Sequence, residues 1–513
     1  MKSVPEATRI LVIGGGPGGA TAATLLARQG FEVTLFEKAH FPRYHIGESL
    51  LPSVLQILDL MGAREKMEQF GFQRKEGAFL EWGDERWGLN FGELSENCTY
   101  AFQVERADFD HLLLQHAASE GVKVFEGIEV QGLTFDGDRP RSASWARHEA
   151  GANDGNGHAG AESKEVERGE IGFDYLVDAS GRNGLMATRY LQNRRYHKIF
   201  QNVAIWAYWK DADRMATGRE GDIACGSIPN GWLWAIPLRD GTTSVGVVVH
   251  RDTVVAREGS MDDLYFEAIE ESPFIRDIVK PGRMVSKTYT EQDYSYAAQR
   301  FCGPGYFMIG DAAAFLDPLL SSGVHLATYS GLLAAAAIGS TYRGEVSAEE
   351  AGAFFEKCYR QAYLRFLVFL SAFYDVGRKK ESYFWEAQRL TEQDVQTSDL
   401  KHAFLKLVTG VKDMSDVQTD AHRLVLETMT KRIDENLTMR RDKMALASMD
   451  NEGKERAQDN GRFFNSVEGL FALSEEEAVE GLYVATTPVL RLARVASTTE
   501  ADAVVAGAAA QQG

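Results

Sequence analysis

Four stretches of the chain carry residues whose types and spacing could do chemistry. In GGGPGG (14–19), Gly14, Gly16 and Gly19 stand in GxGxxG spacing, and Glu37 follows 23 residues after Gly14. Glycines so placed allow a tight turn, close approach of backbone to a pyrophosphate, and close packing of a helix on a strand. A carboxylate at Glu37 can accept bonds from ribose hydroxyls. WLWAIP (232–237) puts Trp232 and Trp234 on alternate positions, followed by Pro237. Two indoles on one strand face can wall one chamber off from another. Lys75, in GFQRKEGAFLEWG (71–83), becomes a useful donor or nucleophile once desolvated, because burial lowers a lysine pKa. In DPLLSSGVHLA (317–327), Ser322-Gly323 lets backbone N–H groups come close to an anion. Each has a plainer alternative: a packing turn, a buried aromatic face, a solvated loop lysine, and a turn before a helix.

Elements must hold these residues in place. RILVIG (9–14) reads as an apolar strand, GGPGGATAATLLARQG (15–30) as a helix opened by glycines, and EVTLFEK (32–38) as a second strand. That βαβ order starts a parallel sheet. Alternating runs such as TTSVGVVVH (242–250) predict antiparallel strands with one covered face. Between 136 and 170 Gly, Ala, Asp, Asn and Glu dominate, which predicts a mobile insertion between two strands. From 336 to 495 the pattern is helical, with Tyr359, Tyr363, Phe366 and Phe373 on one face. The tail from 496 to 513 reads as disordered.

Lys and Arg number 55 against 74 Asp and Glu, a net charge of −19. Such a surface repels nucleic acid and anionic membrane, so neither is an expected partner. Cys98, Cys225, Cys302 and Cys358 are scattered, which excludes a disulfide framework and a zinc site, and no metal is expected. MKSVPEATR lacks the order of a signal peptide, and GLLAAAAIG (331–339) is too short to span a membrane. A cytoplasmic protein is the expectation.

FMIGDAAAFLDP (307–318), DYLVDASGRNG (174–184) and QVERADFDHLL (103–113) resemble the recurring FAD motifs of the group that includes aromatic hydroxylases. That resemblance implies an α/β, FAD-binding Rossmann-like fold. In it Asp311 meets the ribitol chain and Arg106 lies near the phosphates. The implied organisation is a monooxygenase-like module over 1–335, with FAD-binding parts at about 5–80, 100–200 and 295–335. A substrate-side antiparallel sheet would occupy about 80–100 and 200–295.

WLWAIP further matches the WxWxIP signature of flavin-dependent halogenases, and FPRYHIGESLLP (41–52) resembles the segment, with Arg43 and Ser49, that this family sets beside the flavin. The resemblance makes Lys75 the essential lysine, the tryptophans a wall, and the backbone of Ser322-Gly323 a halide holder. It implies an enzyme in which a flavin C4a-hydroperoxide oxidises chloride or bromide. A separate flavin reductase would deliver FADH2, and the product would belong to natural-product biosynthesis. Leu320 stands where tryptophan-acting members carry a glutamate, so the expected substrate is a phenol or pyrrole, free or tethered to a carrier protein. His45, His111 and His325 are candidates for a phenol-deprotonating base by residue type alone. An aromatic hydroxylase consuming NAD(P)H itself is the competing reading, and an isoprenoid-reducing flavoprotein is a third.

Overall fold

A computed structural model describes residues 3–82, 85–94, 99–149, 164–216, 218–376, 472–475 and 478–495. The strand Ala7–Ile13 runs parallel to Val33–Glu37 on one side and to Glu165–Asp178 on the other. Lys123–Glu126 and Tyr306–Met308 extend the parallel sheet at its two ends. Ile10, Leu11, Val12 and Leu35 are fully buried, as expected of strands covered on both faces.

The helix Pro17–Arg28 covers one face. Proline opens it, where a missing N–H costs nothing. Its small residues let it press against the helix Ser322–Tyr342, far away in the chain. A Cβ on Gly18 would stand 2.9 Å from the Ala327 carbonyl oxygen, and one on Gly331 would stand 2.8 Å from that of Gly18.

A second sheet runs in the order Ala314–Phe315, Tyr289–Ala298, Arg194–Lys210, Thr242–His250, Gly231–Pro237, Ile223–Ile228, Gly77–Trp82 and Glu85–Asn90. It is antiparallel except between Ile223–Ile228 and Gly77–Trp82. Alternation decides its two faces. Trp206, Cys225, Trp232, Trp234 and Val248 join the main core, whereas Ile205, Ala224, Leu233, Val245 and Val247 form a second core. The helices Met261–Glu271 and Pro273–Val279 seal that second core with Tyr265, Ile269 and Ile275. Part of 200–295 is therefore helix rather than sheet.

Three further boundaries differ from expectation. The two flanks of the insertion expected over 136–170 are strand, Arg139–His148 pairing antiparallel with Glu165–Asp178, while its middle, 150–163, lies outside the described residues. Few apolar residues suffice there: Ala143, Trp145 and Ala146 are buried, while Arg141 and Ser144 stay exposed. The boundary set at 335 falls inside the helix Ser322–Tyr342. Within 336–495 the helix Ala348–Val376 is present, but Leu482–Ala485 and Arg491–Arg494 form a β-hairpin. That hairpin docks on the end of Ser322–Tyr342, where Leu492 N donates to Ser340 Oγ at 2.8 Å. Residues 377–471, the tail 496–513 and the Phe373 side chain are outside the description.

Candidate active site

A cavity of about 730 Å³ lies between the two sheets, lined by the glycine turn, the 43–49 segment and the tryptophan strand. Each motif glycine has a separate reason to be there. Gly14 has φ +108°, and a Cβ on it would meet the Ala179 carbonyl oxygen at 2.1 Å. One on Gly19 would stand 1.9 Å from the Gly14 oxygen, so the helix is packed directly on the turn. Gly16 faces open space, with Arg43 Nη2 its nearest neighbour at 3.5 Å. Glu37, at the end of its strand, accepts from Gly15 N at 2.7 Å and from Ala39 N at 2.8 Å.

Asp311 lies across the cavity, 3.9 Å from Arg182. Desolvation raises its carboxyl above the ordinary value, against the pull of Arg182, Arg106 and Arg194. A cradle of glycine backbone, with Arg43 beside Gly16 and both Glu37 and Asp311 lining the same cavity, suits an elongated dinucleotide.

Arg106 is engaged elsewhere as well. It grips buried Asp110 through two nitrogens, at 2.8 and 3.0 Å, and donates to the carbonyl of Ile46 at 2.9 Å. Arg43 adds a 3.3 Å ion pair to the same aspartate. These bonds pin the 43–49 segment along the cavity. Ser49, the last residue of that segment on the cavity wall, accepts from Lys75 Nζ at 2.8 Å.

Lys75 is only 2% exposed and is not part of the cavity lining. Its ammonium also donates to the Leu50 carbonyl at 3.0 Å and sits 5.3 Å from the Phe91 ring centroid. Burial pulls its pKa down to about 8, with Cys225 and Asp222 opposing the shift. The amine is therefore held by uncharged acceptors, close to the pH at which it exchanges its proton.

Trp232 and Trp234 both line the cavity, with ring centroids 5.8 Å apart at 48°. The Trp234 indole N–H donates to Ser244 Oγ at 3.2 Å. Beside Trp234 on the neighbouring strand lies Cys225, the thiol whose charge would couple to Lys75. Pro237 ends the strand and is buried away from the cavity lining.

At the far wall, Asp317 caps a short 3-10 turn, accepting from Leu319 N at 3.1 Å. Ser321 then takes φ +55°, and the 21-residue helix Ser322–Tyr342 begins. Gly323 lines the cavity, with nothing within 4 Å of where a Cβ would be. The Ser322 side chain is buried and off the cavity, so this residue can serve an anion only through its backbone.

The three candidate histidines separate. His45 lines the cavity, but burial and the guanidinium groups of Arg106 and Arg43 depress its pKa to about 3. His111 pairs with Gln115 at 2.9 Å. His325 is fully buried, bonded to Ser53 at 2.8 Å and stacked on Tyr329. The aromatic stripe is mostly internal structure: Tyr359 donates to the Gly310 carbonyl at 3.0 Å, and Phe366 packs on His325. Two residues behind the cavity wall escaped the sequence reading: Glu48, which accepts from Tyr208 at 2.7 Å, stood beside Ser49, and Gly246, paired with Trp234, was signalled only as a glycine inside a strand.

Among the described residues no three His, Cys, Asp or Glu side chains gather as a metal site, and no helix is long and apolar enough to cross a membrane.

Comparison with known proteins accounts for this arrangement. A family model described as tryptophan halogenase matches residues 9–99 and 93–479. A Chondromyces crocatus protein named tryptophan 2-halogenase is 44% identical over 98% of this chain and 96% of its own. Flavin-dependent halogenase armH2 of Armillaria mellea is 39% identical over 83% of this chain and 82% of its own. The structure of the myxobacterial chondrochloren halogenase CndH superposes with TM-score 0.68 at 35% identity, covering 83% of this chain and 97% of that one. The flavin-dependent halogenase CmlS follows with TM-score 0.66 at 31% identity, covering 84% of this chain and 78% of its own. The glycine cradle and the long match across both sheets thus have one explanation: the chain belongs to the tryptophan halogenase family of flavin-dependent halogenases, enzymes that work with FAD and a halide.

Proposed function

We propose that the chain halogenates an electron-rich phenolic ring, free or carrier-bound, using chloride or bromide and reduced FAD delivered by a separate reductase. One observation carries the division of labour. Trp232, Trp234 and Ser49 line the flavin cavity, while Lys75 hangs from Ser49 outside that lining. Oxidant made in the cavity then meets the lysine before it meets the ring.

When bound, reduced FAD with oxygen supplies the two-electron oxidation of the halide. Gly14, Gly16 and Gly19 cradle its phosphates. Glu37 and Arg43 meet its adenosine half, and Asp311 meets its ribitol. The backbone N–H groups of Ser322 and Gly323, at a helix N-terminus, hold the halide. Lys75 donates a hydrogen bond to the oxygen of hypohalous acid and turns its halogen toward the ring. Pro237 ends the strand and steadies the indole pair.

Leu320 supports a phenol over an indole. It offers no carboxylate to balance the positive charge that builds on the ring. A phenol supplies that charge balance itself, by losing its own proton. A tryptophan substrate is the second reading, favoured by the name of the Chondromyces crocatus relative.

Competition decides between them. Protein, FAD, a generic reductase, NADH and bromide are mixed with equimolar phenol and tryptophan, and products are read by isotope pattern. Brominated phenol in excess is expected. Brominated tryptophan in excess overturns the phenol assignment, and hydroxylated product formed without halide overturns halogenation.

A further inference from the structure

A chain of hydrogen bonds leads from the cavity to a carboxyl for which the steps above have no use. Tyr44 lines the cavity. Its hydroxyl accepts from Trp206 Nε1 at 2.6 Å and meets Tyr208 Oη at 2.9 Å. Tyr208 donates to Glu48 Oε1 at 2.7 Å. A phenol has one proton to give, so with Tyr208 committed to Glu48, Tyr44 is the donor between the two tyrosines. Every O–H bond then runs one way, from cavity to carboxylate. Tyr289 stacks on Tyr44 and on Trp206, with centroids 5.4 and 5.7 Å away, and locks the rings.

Glu48 is 3% exposed. Facing it are Ser244 and Tyr208 from two strands, and Glu105 and Arg106 at the start of the helix Arg106–Ser119. Nearby His45 stays neutral. Burial is the largest influence, and with Glu105 it outweighs Arg106 and the two hydroxyls, which pushes the carboxyl up to about 7.

We propose that Glu48 is the proton reservoir of the flavin cavity, filled and emptied through Tyr208 and Tyr44. On emptying, the Glu48 O–H bond breaks as Tyr208 Oη takes the proton. The proton of Tyr208 passes to Tyr44 Oη, and that of Tyr44 leaves into the cavity. Filling is the reverse, and no electrons move. The Glu48 carboxylate is the base that receives a proton released in the cavity.

The proposal rests on the cavity holding FAD, and calorimetry tests the two separately. Negative charge entering the cavity raises the pKa of a nearby carboxyl, so loading FAD must draw a proton in. FAD is titrated into the full-length apoprotein near pH 7, in two buffers of unlike ionisation enthalpy. In the wild type the apparent binding enthalpy should differ between buffers, by uptake of part of a proton. Glu48→Gln should bring the two enthalpies together while leaving Kd within about threefold. Tyr208→Phe should keep the uptake but move its maximum to higher pH, because the carboxylate loses a donor. It should also flatten the neutral limb of the halogenation pH profile, which a merely structural tyrosine would not do. Unchanged buffer dependence in Glu48→Gln, or none in the wild type between about pH 6 and 8 despite binding heat, overturns the reservoir. An unchanged pH profile in Tyr208→Phe overturns the relay. Absence of any binding heat overturns both the flavin assignment and the proposal.

Discussion

Gly246 leaves the space that the Trp234 indole occupies. The two residues face each other across neighbouring strands, and a Cβ on Gly246 would stand 2.2 Å from Cζ2 and 2.3 Å from Cη2 of that ring. Trp206 flanks Gly246 on the opposite side. A glycine weakens a strand interior. Here it lets the indole lie over the neighbouring strand without a clash.

Gly246→Ala should therefore push Trp234 off its seat. Overpacking of this kind costs about 1–3 kcal/mol, measurable by urea unfolding. The wall should also leak, so that more oxidised halide escapes to a soluble trap for each ring halogenated. If the leak stays at the wild-type level while the protein is destabilised, Trp234 is core and not barrier.

Lys75→Met should separate activity from stability. The thioether fills the same space without a charge to desolvate, so unfolding free energy should hold or rise. Halogenation should fall by roughly 10²-fold or more, the scale of a lost proton donor. Flavin binding, read by absorbance, should survive. Full halogenation in this variant would remove the lysine from the chemistry.

In its proposed role Lys75 should also set a pH limb. With its pKa near 8, the donating ammonium is depleted as pH rises through that value, so the rate should decline above it. Lys75→Arg keeps its charge, and whatever activity remains should lack the decline. Stability responds in the other direction. Between about 8 and 10.5 the unfolded lysine holds a proton that the folded one has lost, so stability rises with pH there. Activity and unfolding profiles measured together check both signs.

Arg106→Ala should be costly for a reason unrelated to phosphate. Asp110 is fully buried and takes two bonds from that guanidinium. Stripping them leaves a charge paired only with Arg43, a loss of about 3–5 kcal/mol. Adding Asp110→Asn should restore much of the unfolding free energy. No rescue would mean that Arg106 acts instead through the carbonyls of Ile46 and Gly47, to which it donates at 2.9 and 3.3 Å.

The local motifs were legible because each is a short-range requirement. The spacing of Gly14, Gly16 and Gly19 announces a tight turn with a helix packed on it, and Trp232 and Trp234 announce one face by alternation. The hairpin Arg139–His148 with Glu165–Asp178 was misjudged for the opposite reason. Its polar residues look disordered until a partner strand satisfies their backbone. The strands near 482 and 491 were missed because helical and strand patterns are hard to separate in short apolar runs.

By itself the sequence determined the βαβ turn and the second sheet, which follow from periodicity and spacing along the chain, whereas Lys75 stood out only through the family resemblance of its motif. Only the tertiary structure decided that Ser49 bridges cavity and lysine and that Glu48 ends a tyrosine chain. It alone shows Gly246 yielding its volume to an indole. Such contacts join residues far apart in the chain, and no local pattern records which side chain will fill, or share a proton with, a partner that folding brings beside it.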